Sequence, residues 1–197
     1  MTSFAVLISG RGSNMAALGE AVRDGRLRAR LAFVASDTPD APGLQKAGAA
    51  GFETAVLPYS ERGRCGAEER LNGLCSSRKA EWIVLAGFMR ILSPEFVRLF
   101  QGRIVNIHPS LLPSFPGRDG IGDAWRYGVK ITGVTVHLVD EGVDSGLILA
   151  QQATEIRPED TLETLEQRIH EIEHAIYWKT LSDLFRGILS AERRWRK

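Results

Sequence analysis

The sequence predicts an α/β fold: a mostly parallel sheet flanked by helices, with an antiparallel strand pair and a long helix toward the C-terminus. Three observations carry this expectation. Apolar runs of strand length alternate with amphipathic segments of helix length through the first hundred residues, as βαβ units require. A stretch dense in proline and glycine after His108 breaks the alternation, and two β-branched runs follow, joined by a short turn. From Thr161 onward, Leu162, Leu165, Ile169, Ile172, Ile176, Leu181 and Phe185 recur at three- and four-residue steps, the apolar stripe of an amphipathic helix.

In order, the first strands are expected at Phe4–Ser9, Leu31–Ser36, Glu53–Leu57, Trp82–Ala86 and Arg103–Ile107. Helices are expected near Ser13–Asp24, Ala41–Ala50, Cys65–Arg78 and Pro94–Phe100, the last opened by Ser93 as N-cap and Pro94 at the first helical position. This is a Rossmann-like order. Pro109, Pro113 and Pro116, with glycines among them, predict a loop after His108, and loops on rigid sheets carry function. The strands Gly133–Val139 and Leu147–Thr154 then form the antiparallel pair at the sheet edge. Pro158-Glu159-Asp160-Thr161 supplies N-cap candidates and first-turn acids for the last helix, and the basic run Arg193-Arg194-Trp195-Arg196-Lys197 reads as a solvated or frayed end.

With 197 residues, 44% hydrophobic and 25% charged, the chain is expected to form a single domain over residues 1–197. A net charge of +1 gives no broad attraction to nucleic acid or an acidic membrane, so neither partner is expected. The longest strongly apolar run, Trp82 to Met89, is far short of the roughly 20 residues of a membrane span, and Met1-Thr2-Ser3-Phe4 lacks a charged leader, so a cytoplasmic location is expected. Cys65 and Cys75 read as reduced structural thiols. No CxxC pair accompanies the four histidines, and no metal centre is expected.

Three places carry candidate chemistry. Ser9-Gly10-Arg11-Gly12-Ser13-Asn14 lies between a strand and a helix, where backbone N–H groups and the positive helix end converge on an anion. A dinucleotide fingerprint needs glycine where Met15 stands, and the Gly-Lys-Ser/Thr of a nucleotide triphosphatase is absent, which favours a phosphate monoester; the alternative is a tight turn with glycine for steric reasons. Asn106 and His108, two residues apart at a strand end, share a face, so a carboxamide and an imidazole can converge on one carbonyl. Asp144 sits in a glycine-flanked turn; an imidazole working as a cation needs a carboxylate partner, but an acid in a turn is ordinarily solvated surface. His137, mid-strand between Val136 and Leu138, reads as packed structure, as do Trp82, Trp125 and Trp178.

Ile8-Ser9-Gly10-Arg11-Gly12-Ser13-Asn14, Ala86-Gly87-Phe88-Met89-Arg90-Ile91-Leu92-Ser93, Val105-Asn106-Ile107-His108-Pro109-Ser110-Leu111-Leu112-Pro113 and Gly133-Val134-Thr135-Val136-His137 through Asp144-Ser145-Gly146 occur in an order that resembles the glycinamide ribonucleotide formyltransferases of purine biosynthesis. The Asn-x-His-Pro-Ser-Leu-Leu-Pro element marks the wider folate-dependent formyltransferases, and the Gly-Ser-Asn loop narrows the resemblance to this group. The resemblance implies formyl transfer from 10-formyltetrahydrofolate to the amine of glycinamide ribonucleotide, without a metal. It implies a catalytic trio of Asn106, His108 and Asp144, and a phosphate held by Gly12, Ser13 and Asn14 with Glu173 at the ribose. A folate pocket would be lined by Arg64, Met89, Arg90, Ile91 and Leu92, by Asn106, and by the turn of Asp140, Glu141, Val143 and Asp144. It divides the domain into a phosphate-binding half of about 1–100 and a folate and catalytic half of about 101–197, in a monomer or homodimer.

The chain departs from this pattern in three places. Arg118-Asp119-Gly120-Ile121 stands where many relatives carry a histidine, Ser36-Asp37 where Ser-Asn is common, and Gly146-Leu147 where Gly-Pro is common. The rival readings are a 10-formyltetrahydrofolate hydrolase or another folate formyltransferase, whose usual extra domains do not fit in 197 residues, and a sugar-phosphate binding protein without turnover.

Overall fold

The computed structural model describes residues 1–189, so the basic run Arg193 to Lys197 lies outside the described residues. In chain order the elements are β1 (Ser3–Ile8), α1 (Ser13–Arg23), β2 (Arg30–Ser36), α2 (Pro42–Ala49), β3 (Thr54–Val56), α3 (Tyr59–Arg78), β4 (Trp82–Leu85), α4 (Pro94–Leu99), β5 (Ile104–His108), α5 (Gly120–Tyr127), β6 (Ile131–Leu138), β7 (Ile148–Glu155) and α6 (Leu162–Phe185). The strands form one seven-stranded sheet in the order β3-β2-β1-β4-β5-β6-β7. β1 to β5 run parallel and β6 pairs antiparallel with β7, as the sequence predicts, and β6 also pairs antiparallel with β5.

Alternation along the strands divides the core in two. Phe4, Val6 and Ile8 of β1 face one side, with Met15 and Leu18 of α1 and Leu165, Ile169 and Leu181 of α6. Ala5 and Leu7 face the other, with Leu71 and Cys75 of α3 and Phe96 of α4. Burying each of the larger side chains is worth roughly 1.5–3 kcal/mol. Tyr177 of α6 is fully enclosed, and its hydroxyl donates to the carbonyls of Leu85 (2.8 Å) and Val105 (3.2 Å), fixing the last helix against β4 and β5. The helices after β1 and β4 leave toward opposite faces, which opens a crevice beyond the carboxyl ends of these neighbouring strands, the usual place for a ligand in an open α/β sheet. Among the described residues no helix is long and apolar enough to cross a membrane.

Three expectations need correction. The breaker density predicts a loop through the whole stretch after His108, but the chain is irregular only to Asp119. There the Asp119 side chain accepts the Gly122 N–H at 3.1 Å and starts α5, whose Ile121 and Ala124 are buried, so a cap and two apolar residues outweigh the glycines. Helical backbone also begins earlier than Cys65, at Tyr59, in two segments that meet at Gly63 (φ 64°). Finally, Cys75 is buried, its thiol pushed up to about 12 by that burial, whereas Cys65 is exposed on α3, with its thiol 3.8 Å from Glu69 Oε1.

Candidate active site

A cleft of about 1100 Å³ lies at the carboxyl ends of β1, β4 and β5 and reaches the turn between β6 and β7. Every site residue predicted above lines it, from Gly12, Ser13 and Asn14 at one end to Asp140, Glu141, Val143 and Asp144 at the other.

At the first end, Gly12 opens α1 in the left-handed conformation (φ 69°), and no side chain caps the helix N-terminus. A Cβ on Gly12 would approach Gly43 Cα to 2.8 Å, so the turn packs against the start of α2 and tolerates only glycine. Asn14 and Glu173 are both buried, and Asn14 Nδ2 donates to Glu173 Oε2 at 3.1 Å. Glu173 is thus no surface carboxylate. Its Oε2 also accepts the His170 Nδ1 proton at 2.8 Å, and this hydrogen bond raises the His170 pKa against the opposing effect of burial. Asn14 Oδ1 is buried without a partner among the described residues.

His170 is a cleft residue that sequence reasoning missed, although a signal existed: His170-Glu171-Ile172-Glu173-His174 has the H-E-x-x-H spacing of zinc peptidases. The structure uses the spacing otherwise. His170 turns to Glu173, His174 Nε2 is buried without a partner, and among the described residues no three His, Cys, Asp or Glu side chains are placed to hold a metal.

At the other end the structure answers what the sequence left open, because Asp144 reaches His108. Its Oδ2 lies 3.5 Å from His108 Nδ1 and accepts the Gly117 N–H at 2.8 Å, while its Oδ1 lies 3.4 Å from Asn106 Nδ2. Asp144 adopts a left-handed backbone (φ 52°), which aspartate tolerates better than most residues. Burial pushes its carboxyl up, but the neighbouring His137 imidazole, the Gly117 N–H and the His108 imidazole outweigh this and leave it below the ordinary aspartate value. His108 Nε2 donates to the Phe115 carbonyl at 2.8 Å, so a second proton, on Nδ1, would face Asp144. Gly120 permits this packing: a Cβ there would come within 2.9 Å of His108 Nε2.

His137 belongs to the same cluster rather than to inert packing. It pairs with Asn106 in the β5–β6 register, and Asn106 Nδ2 lies 3.1 Å from His137 Nε2. Next to it, Thr135 accepts the Leu112 N–H at 3.0 Å and donates to the Ser110 carbonyl at 2.7 Å, tying the proline-rich loop to β6.

On one wall of the cleft, Met89 and Ile91 stand 49% and 66% exposed, while Leu92 turns into the second core. Arg64 and Arg90 line the same wall, and Arg118 lines the cleft in the stretch where the expected imidazole is missing. Glu141 pairs with Arg98 at 2.9 Å.

A family profile described as formyl transferase matches residues 2–181. The phosphoribosylglycinamide formyltransferase of Bacillus subtilis (strain 168) is 42% identical over 185 residues, covering 93% of this chain and 95% of that protein. The trifunctional purine biosynthetic protein adenosine-3 of Drosophila melanogaster is 44% identical over 186 residues, 93% of this chain but only 14% of the fly protein. Among solved structures, glycinamide ribonucleotide transformylase 1 from Symbiobacterium toebii superposes with a TM-score of 0.93 at 39% identity, over 98% of this chain and 92% of that one. Phosphoribosylglycinamide formyltransferase from Bacillus halodurans gives 0.91 at 37% identity, over 98% and 100%.

Proposed function

The chain belongs to the formyl transferase family, and on that premise we propose that it transfers the formyl group of 10-formyltetrahydrofolate to the amine of glycinamide ribonucleotide in purine biosynthesis. One observation carries the reading: a single cleft holds both an uncapped glycine-turn helix N-terminus suited to a phosphate and the Asn106, His108 and Asp144 cluster suited to a carbonyl. The N-terminal half, about 1–100, and the C-terminal half, about 101–197, act as one formyltransferase domain. The protein works in the cytoplasm on small molecules, as a monomer or homodimer, without nucleic acid, membrane or metal.

In this reading Gly12, Ser13 and Asn14 bind the phosphate and Glu173 the ribose. Arg64, Met89, Arg90, Ile91 and Leu92, with Asp140, Glu141 and Val143, receive the folate. The neutral amine attacks the formyl carbon; the C–N bond forms as the carbonyl π electrons move to oxygen. Asn106 Nδ2 has one short partner in His137 and one long one in Asp144, and the hydrogen aimed at Asp144 is the one the oxyanion takes over. His108, charged when Nδ1 gains its proton beside Asp144, adds a positive field at the same place. Collapse breaks the bond to the folate nitrogen, which leaves with the proton the amine gave up, and Asp144 is the group placed to relay it. No enzyme nucleophile is needed.

The test follows folate product spectrophotometrically with and without glycinamide ribonucleotide. Holding the amine in line with the formyl carbon can supply about 7–11 kcal/mol of the barrier, an advantage that an unheld water lacks. Fast product formation only with the ribonucleotide supports the transferase. Equal rates without it mean a hydrolase, and sugar-phosphate binding without product means a binding protein.

A further inference from the structure

Ser9 and Asp37 have no role in the reading above, yet they join its two halves. Ser9 follows β1 and precedes Gly10 of the phosphate turn. Its hydroxyl accepts the Met89 N–H at 2.8 Å and donates to Asp37 Oδ1 at 2.5 Å. The other carboxylate oxygen of Asp37 accepts Arg90 Nε at 2.7 Å, and the Ser9 N–H donates to the Gly87 carbonyl at 3.0 Å. The segment that carries Met89 and Arg90 is therefore fastened at three points, one backbone and two side-chain, to the residue that begins the phosphate turn and to the acid beside it.

The energetics make this a coupling element rather than surface decoration. The Asp37 side chain is 4% exposed and the Arg90 side chain 51% exposed, so the carboxylate is a buried charge whose cationic partner sits on the folate wall. A buried carboxylate stripped of such a partner is costly, so displacement of Arg90 is resisted. Arg90 is further placed over the Tyr59 ring, 5.3 Å from its centroid. From the other direction, Ser9 can shift only by giving up the Met89 N–H, the Asp37 carboxylate, or both.

We propose that Ser9 and Asp37 are positioning residues that couple the two substrate sites, so that ordering the phosphate turn orders the Met89–Arg90 segment and each ligand tightens the other. The proposal rests on the two-substrate reading above. Coupling of this kind is reciprocal and typically amounts to about 5- to 150-fold in affinity.

The experiment is a binding cycle by calorimetry. The dissociation constant of glycinamide ribonucleotide is measured with and without saturating tetrahydrofolate, which has no formyl group to transfer. In the wild-type protein the ribonucleotide binds at least about fivefold more tightly with tetrahydrofolate present. Ser9→Ala and Asp37→Asn bring the ratio near one while each ligand alone still binds. Ser9→Thr, which keeps the hydroxyl, restores it. Thermal melting identifies folded variants, and Ser9→Ala serves alone should the buried Asp37→Asn fail to fold. A ratio near one in the wild type with both ligands bound, or an undiminished ratio in Ser9→Ala, overturns the coupling and leaves the transferase reading standing. Failure of folded wild-type protein to bind either ligand overturns both.

Discussion

Asn106 donates from Nδ2 to His137 Nε2 at 3.1 Å, and His137 in turn donates from Nδ1 to the Leu138 carbonyl at 2.9 Å. A carbonyl can only accept, so Nδ1 carries a proton, and in the neutral ring Nε2 must accept. The Asn106 amide is thereby held with its nitrogen toward His137 and Asp144. A second proton on His137 would turn that same edge toward Asp144 Oδ1, 3.6 Å away, and release the amide.

His137→Phe should therefore lower kcat more than it changes the KM for glycinamide ribonucleotide, because the amide loses its orientation while the phosphate turn is untouched. An unmade buried hydrogen bond of this kind costs about 1–3 kcal/mol, roughly 5- to 150-fold in rate. Steady-state kinetics on folded variant decides. Unchanged kcat would return His137 to the packing role that its strand neighbours suggest.

Asn106→Ala removes the donor aimed at the developing oxyanion, and His108→Ala removes the positive field beside it. Loss of one such donor costs about 10²–10³ in kcat in other enzymes. The measurement is single-turnover formyl transfer at saturating substrates. Near-normal rates in both variants would place the chemistry elsewhere in the cleft.

The succession of strands and helices along the chain and the three motif segments were legible because each rests on local pattern: the continuous apolar run of β1, the glycine turn before α1, and two polar residues on one face of β5. The His108–Asp144 approach was not, because it depends on how the turn after β6 folds back over the end of β5, a tertiary distance. His137 was nearly legible. Once β6 is placed antiparallel beside β5, register alone sets it opposite Asn106, but the sequence does not state which strands are neighbours. His170 went unread because its importance comes from a carboxylate three residues along the same helix being buried, and burial of a helical acid has no local signature.

Gly12→Val should weaken glycinamide ribonucleotide and leave folate binding by itself nearly intact. The substituted residue would have to occupy φ 69° and push against Gly43 Cα, so the turn that presents backbone N–H groups to the phosphate must distort. Separate titrations of the two ligands check this. Equal loss of both in a folded variant would remove the phosphate from this turn.

The His170–Glu173 pair predicts a pH dependence whose sign is fixed. The hydrogen bond to Glu173 holds the folded-state pKa of His170 above the ordinary histidine value of about 6.5, so the folded protein keeps a proton that the unfolded chain gives up first. The stability this contributes is fully present below about pH 6.5 and is lost as the pH rises through the raised folded value. His174, one turn further along α6, is shifted downward, chiefly by burial, and acts in the opposite sense on the acid side of about pH 6.5, so the slope of the wild-type protein alone does not isolate the pair. The comparison with His170→Gln does, because His174 is present in both proteins. Urea unfolding at a series of pH values should show the wild type's advantage over His170→Gln largest on the acid side and shrinking toward the alkaline side. An advantage that grows with pH would mean that Glu173 does not hold the His170 proton.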